Sequence, residues 1–233
     1  QPPCTPPSPF AVGINPLSGL ALVAHQTTNF ASVFDLDSLS FVGTIGGGQQ
    51  TVSTGANPSV AVEPQLDWAV VTPGGGAGAL TIVDLGRRHV VATVAVGTEV
   101  RGAGINTETQ RIVLTNPTSN AVILFSLVDQ TVQNLTLEQG HVASAANPLS
   151  DVAVTVNPNT DLVSVIDLRT PARLATLATG TDPVAVALDP TTNRAVVVNQ
   201  ADNSVSIVDL GPLRALHLIQ VNPAVTLTSN TDL

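Results

Sequence analysis

Residues 182–210 read DPVAVALDPTTNRAVVVNQADNSVSIVDL, and residues 140–168 read GHVASAANPLSDVAVTVNPNTDLVSVIDL. The two align without a gap at an offset of 42. INTETQRIVLTNPTSNAVILFSL (105–127) fits the same frame at an offset of 41. VEPQLDWAVVTPGGGAGALTIVDL (62–85) fits with one extra residue in a glycine-rich loop, and INPLSGLALVAHQTTNFASVFDL (14–36) makes five copies. One internal distance fixes the register. Pro16, Thr107, Pro148 and Pro190 stand 19 residues before Asp35, Ser126, Asp167 and Asp209, while Pro64 stands 20 before Asp84.

Each copy divides into four short segments separated by turn residues. The first is apolar and ends in a turn such as NPLSG, DPTTN or NPLSD. The second is LALVA, WAVVT, RIVLT, VAVTV or AVVVN, and the third ends in Asp-Leu in four copies and Ser-Leu in one. The fourth is FVGTI (41–45), VVATVAV (90–96), VQNLTL (132–137), LATLA (174–178) or ALHLI (215–219). These are β-branched and apolar runs without helical periodicity, and the Asn, Asp, Pro and Gly between them accept hairpin geometry. Four strands per unit with a period near 42 is the pattern of a β-propeller blade. Stacked blades cover each other's faces, so strict apolar–polar alternation is lost. The expected fold is all-β: a propeller of four-stranded blades, five blades plus one extra strand. Residues 1–9 read as a Pro-rich linker or the end of a preceding segment, 10–221 as five blades, and 222–233 as the first strand of a further blade or a closing strand. Two closures stay open: a ring of six to eight blades, of which this chain is part, or a ring of five.

At the corner between the second and third strands the copies read LVAH (22–25), VVTP (70–73), VLTN (113–116), VTVN (154–157) and VVVN (196–199). Here the chain resembles the YVTN family of β-propeller repeats over nearly its whole length. Tyr is absent, and His25 and Pro73 stand where the motif has Asn. The resemblance implies a propeller that is exported or held on the cell surface. It also brings in relatives that bind partners and related propellers that act as lactonases and lyases. Fold alone assigns none of these activities.

Composition narrows the partners. The net charge is −9 and the eight cationic side chains are all Arg, so a phosphate backbone is repelled; six aromatic residues are too few for a base-stacking surface. No apolar run is long enough to span a membrane. The one cysteine, Cys4, lies in QPPCTPPSP and reads as a free thiol in a linker, with an intermolecular bridge or anchor as the alternative.

Chemical motifs are sparse. GGGAGA (74–79) fits a nucleotide-binding glycine pattern, but a strand follows it instead of a helix, so it reads as a loop. No H-E-x-x-H, C-x-x-C or G-x-S-x-G occurs, and neither a metal nor another cofactor is expected. Asp35, Asp84, Asp167 and Asp209 recur at one blade position, which points to turn amides and not to catalysis. The breaks in the repeat are the long loop Gly46–Asn57 and the glycine-rich loop 73–79. Loops of this kind emerge on one rim of the blades, where binding residues concentrate. The candidate ligand rim is therefore His25, Glu99, Arg101, Asn116, His141, Asp182 and Asn199. The expected function is a non-enzymatic extracellular, cell-surface or periplasmic scaffold that binds a protein, a glycan or copies of itself. The alternatives are a structural subunit of a surface layer or filament, and a metal-dependent lyase- or lactonase-like enzyme.

Overall fold

A computed structural model describes residues 8–26, 28–47, 51, 52, 54–75, 78–97, 99–211 and the backbone of 214–220. Cys4, most of the expected linker and the expected extra strand at 222–233 lie outside the described residues.

Five antiparallel sheets follow one another along the chain, each of four strands in sequence order. Blade 1 is β1 (Ser8–Asn15), β2 (Leu20–Gln26), β3 (Phe30–Asp35) and β4 (Ser40–Gly46). Blade 2 is β5 (Ser59–Glu63), β6 (Trp68–Thr72), β7 (Ala79–Asp84) and β8 (His89–Ala95). Blade 3 is β9 (Arg101–Asn106), β10 (Arg111–Thr115), β11 (Ala121–Ser126) and β12 (Val132–Thr136). Blade 4 is β13 (Ala143–Asn147), β14 (Val152–Asn157), β15 (Leu162–Asp167) and β16 (Ala172–Ala178). Blade 5 is β17 (Pro183–Asp189), β18 (Arg194–Asn199), β19 (Ser204–Asp209) and β20 (Arg214–Gln220). The first strands β1, β5, β9, β13 and β17 lie next to each other in that order. The expected β-propeller of four-stranded blades is the observed fold.

The turns explain why the repeat keeps its polar residues. In the hairpin between third and fourth strands, Asp35 accepts the amides of Asp37 and Ser38 (both 2.9 Å), Asp167 those of Arg169 and Thr170, and Asp209 that of Gly211. The recurring Asp is thus a turn acceptor; the Ser38 and Asp37 amides hold the Asp35 carboxyl below its ordinary pKa. At the end of the first strand, Asn15, Asn106 and Asn147 are fully buried and do two jobs. Their side-chain oxygens accept amides of their own turn: Leu17, Glu108 and Leu149. Their side-chain NH2 groups reach the next blade: Asn15 donates to Asp67 (2.6 Å), Asn106 to Asp151 (2.9 Å) and Asn147 to Asn193 (2.7 Å). The acceptors Asp67, Asp151 and Asn193 are the left-handed residues of the next blade's first turn, a backbone region that Asp and Asn tolerate.

Apolar layers fill the spaces between blades. Leu22, Val33 and Ile45 of blade 1 meet Ala69, Val71 and Val83 of blade 2. Leu80 and Ile82 meet Ile112, Leu114 and Phe125 of blade 3. Val122 and Leu124 meet Ala153 and Ile166 of blade 4, and Val154 and Val165 meet Ala195 and Val197 of blade 5. Each fully buried Leu, Ile or Phe contributes about 1.5–3 kcal/mol from the water it leaves. The repeat's pattern holds in the first and last blades, but among the described residues no further blade covers their outward faces. On blade 1 Phe10, Val12, Ile14 and Phe41 are 50–60% exposed, and on blade 5 Val196 and Val198 are 43% and 44% exposed. Their repeat equivalents in blade 4, Val154 and Val156, are fully buried.

Candidate functional site: the channel mouth

Five innermost strands converge on one cavity of about 410 Å³, lined by Phe10, Asn57, Ser59, Arg101, Gly102, Val142, Ala143, Pro158 and Val184. It opens on the rim where the first strands begin. A recurring irregularity shapes it. The pairing of first to second strand slips between Pro9 and Ala11, between Arg101 and Ala103, and between Pro183 and Ala185. The extra residues are Phe10, Gly102 and Val184, and all three line the cavity. A bulge re-aims side chains next to it, so three blades use the same device to present their first residues to the mouth.

Arg101 is the cation of this lining. Its position follows from the turn before it. Glu99 takes a left-handed backbone (φ 57°), Val100 is buried, and the Val100 carbonyl accepts the Gly74 amide at 3.0 Å. Arg101 Nη2 lies 3.8 Å from Glu99 Oε2, with both side chains about one-third exposed. Arg101 Nε is buried and meets no hydrogen-bond partner among the described residues. A Cβ on Gly75 would stand 3.7 Å from Glu99 Oε2, so Gly75 lies against the carboxylate of this ion pair.

The two loops that break the repeat brace each other. Gly55 donates to the Pro73 carbonyl and Asn57 to that of Gly74. A Cβ on Gly74 would fall 1.6 Å from the Asn57 carbonyl oxygen, and Gly74 sits at φ 60°. The long loop is also stitched to blade 1: Val52 donates to Asn29, Thr28 donates to Thr54 Oγ1, and Gln26 donates to the Ala56 carbonyl.

The other expected rim residues have separate places. His25 is buried, its Nε2 2.8 Å from Ser32 Oγ, and burial lowers its pKa. His141 is buried at a repeat position that is Pro58, Val100 and Pro183 elsewhere, all buried. Its Nδ1 lies 2.9 Å from Thr155 Oγ1, and its Nε2 has no partner among the described residues. Burial pushes its pKa down to about 4, with Glu138 pulling weakly the other way. Asn116 is buried and caps its own turn through the Thr118 amide. Asn199 is buried and donates to Ser204 and Ser206. Asp182 holds the left-handed turn position that Glu99 holds in blade 3, and its amide donates to Asp161. The structure brings Glu99 and Arg101 together at the mouth; the two histidines and Asn199 are buried and bonded to Ser32, Thr155, Ser204 and Ser206 of their own blades. Among the described residues no three His, Cys, Asp or Glu side chains gather.

The mouth residues Phe10, Asn57, Ser59 and Val184 carry no sequence signal of their own. Only the one-residue offsets that make the bulges could have pointed to Phe10 and Val184, and a single-residue slip is invisible when the repeat is aligned by its turns.

What the arrangement defines is a β-propeller with an apolar, singly cationic channel mouth. No family model matches the chain, and no curated protein matches its sequence. Among solved structures it is similar to Kuenenia stuttgartiensis hydrazine synthase at 16% identity and a TM-score of 0.73, covering 88% of this chain. The chain spans 64% of that structure's length. At this identity the likeness concerns the fold.

Proposed function

We propose that this chain is a non-enzymatic binding scaffold of the YVTN-repeat kind, exported or displayed on a cell surface, and that its partner docks on the rim around the channel mouth. The observation that carries the reading is the make-up of that mouth. A cavity of about 410 Å³ walled by Phe10, Val142, Pro158 and Val184 offers one guanidinium, Arg101, beside the Glu99 carboxylate. That combination suits a protein loop or a glycan with an apolar face and one carboxylate: the walls take the apolar part, and Arg101 turns from Glu99 to a bidentate contact. Arginine at a half-enclosed site anchors binding energy better than a rim charge.

The test is an array of carboxylated and neutral oligosaccharides and peptides, read with the native chain and with Arg101→Gln. Carboxylated ligands bind the native chain, and the variant loses about tenfold or more in affinity. Turnover of lactone or polysaccharide substrates with added divalent metal, abolished by His25→Ala or His141→Ala, would replace this reading with the enzymatic one.

A further inference from the structure

The outward face of blade 5 is built like an interior. Ala185, Ala187, Val196 and Val198 on it are exposed. The same repeat positions in blade 4 are Ala143, Ala145, Val154 and Val156, half-buried or fully buried because blade 5 covers them. The cover closest to the axis is the next innermost strand, which approaches almost backbone to backbone. A Cβ on Gly102 would lie 2.8 Å from Ala143 Cα, and one on Gly104 would lie 2.9 Å from Ala145 Cα. Position i of one first strand thus meets its repeat equivalent, 41 residues on, in the next.

The sequence after β20 carries the letters of such a strand. NPAVTLTSNTDL (222–233) repeats the pattern of NPSVAVEP (57–64). Pro223 follows Pro183 by 40 residues, against 42, 41 and 42 for the steps Pro58, Val100, His141 and Pro183. Connection length agrees. Between β8 and β9, β12 and β13, and β16 and β17, four to six residues carry the chain from the outermost strand to the next innermost one. From Gln220 the same reach arrives at Val225–Leu227.

We propose that the open face of blade 5 is the seat of residues 222–233, which lie along β17 as the innermost strand of a sixth blade. A second copy fits the face less well. Phe10 of blade 1 and Val184 of blade 5 line one cavity, so the first and last blades come together at its mouth. A second copy meets the face only at the concentration of the protein, whereas a segment tethered a few residues from β20 meets it at a far higher effective concentration. The inference is independent of the rim reading, which survives either result.

The experiment uses the full-length polypeptide with Cys4→Ser, carrying Ala185→Cys with Val225→Cys in one variant and Thr191→Cys with Val225→Cys in another. Thr191 follows β17 at the opposite rim and is out of reach of Val225 on a docked strand. Under mild oxidation the first pair forms an intramolecular disulfide about tenfold faster than the second, read by peptide mapping. Equal rates for the two pairs, or bridges that join separate chains, would overturn the proposal, the latter pointing to a second copy on this face. Amide exchange gives a second readout: the Val196–Val198 segment exchanges as slowly as Val154–Val156 if the seat is filled, and clearly faster if the face is bare.

Discussion

Gly74 combines a left-handed backbone with a neighbour that leaves no room for a side chain. Gly74→Ala therefore costs about 3 kcal/mol or more in stability, from strain and from displacement of the Asn57 carbonyl. Urea denaturation measures the loss, and amide exchange at 54–57 locates it. His141 gives a pH dependence. The unfolded side chain titrates near 6.5, whereas burial holds the folded one down to about 4. On acidification the unfolded chain takes up this proton first. Stability is therefore full above about pH 6.5 and falls towards pH 4, by up to about 3 kcal/mol from this group. His141→Val, the residue that blade 3 uses at this position, costs about 1 kcal/mol at pH 7 because Thr155 loses its partner, yet flattens that acid limb. Melting curves at pH 7 and pH 5 compare the two proteins. Recurrence identified Asp35, Asp84, Asp167 and Asp209 as turn acceptors from sequence. It was blind to the histidines, since a buried imidazole and a rim ligand look alike in a string of letters.

The first-strand hairpins link local geometry to the joint between blades. One Asn side chain closes its own turn and holds the next blade. Asn106→Ala removes both functions and leaves Asp151 without one of its donors, a loss of about 2–3 kcal/mol. Asp189, its equivalent in blade 5, makes its bonds within its own turn to Thr191 and Thr192, which hold its carboxyl down to about 2. Asp189→Ala is accordingly expected to cost far less, and paired urea titrations check the contrast. All five blades and nearly all strand limits follow from the repeat, because turn chemistry repeats with the period. The latches do not, because an Asn that ends a strand and an Asn that bridges two blades obey the same local rule. The mouth escaped for a similar reason: its bulges shift one residue inside otherwise regular strands, and the alanines and glycines of β9 and β13 give no hint of how closely they approach.

Between adjacent blades the apolar layers are continuous, while the outward face of blade 1 keeps Phe10, Val12, Ile14 and Phe41 in solvent. An exposed patch of this kind marks an interaction surface. The folded chain is expected to bind a fluorescent apolar dye at neutral pH, and Phe10→Ser with Phe41→Ser to lower the signal without shifting the urea midpoint by more than about 0.5 kcal/mol equivalent. A large drop in stability would mean that these side chains are covered in solution. Period and composition were sufficient to foresee a stack of blades with both faces apolar. They could not say which faces stay open, since the end blades carry the same letters as the middle ones.

Every sheet is made from one uninterrupted stretch of chain, and no strand of one blade pairs in a sheet with a strand of another among the described residues. This has a mechanical corollary. A load applied through the two chain ends peels strands from a sheet one hydrogen bond at a time instead of shearing a whole ladder at once. Pulled on in a single-molecule instrument, the molecule should yield at low force in a staircase, each step releasing one repeat of about 42 residues, or roughly 14 nm of extended chain. As a tether it would behave as a spring of separable links.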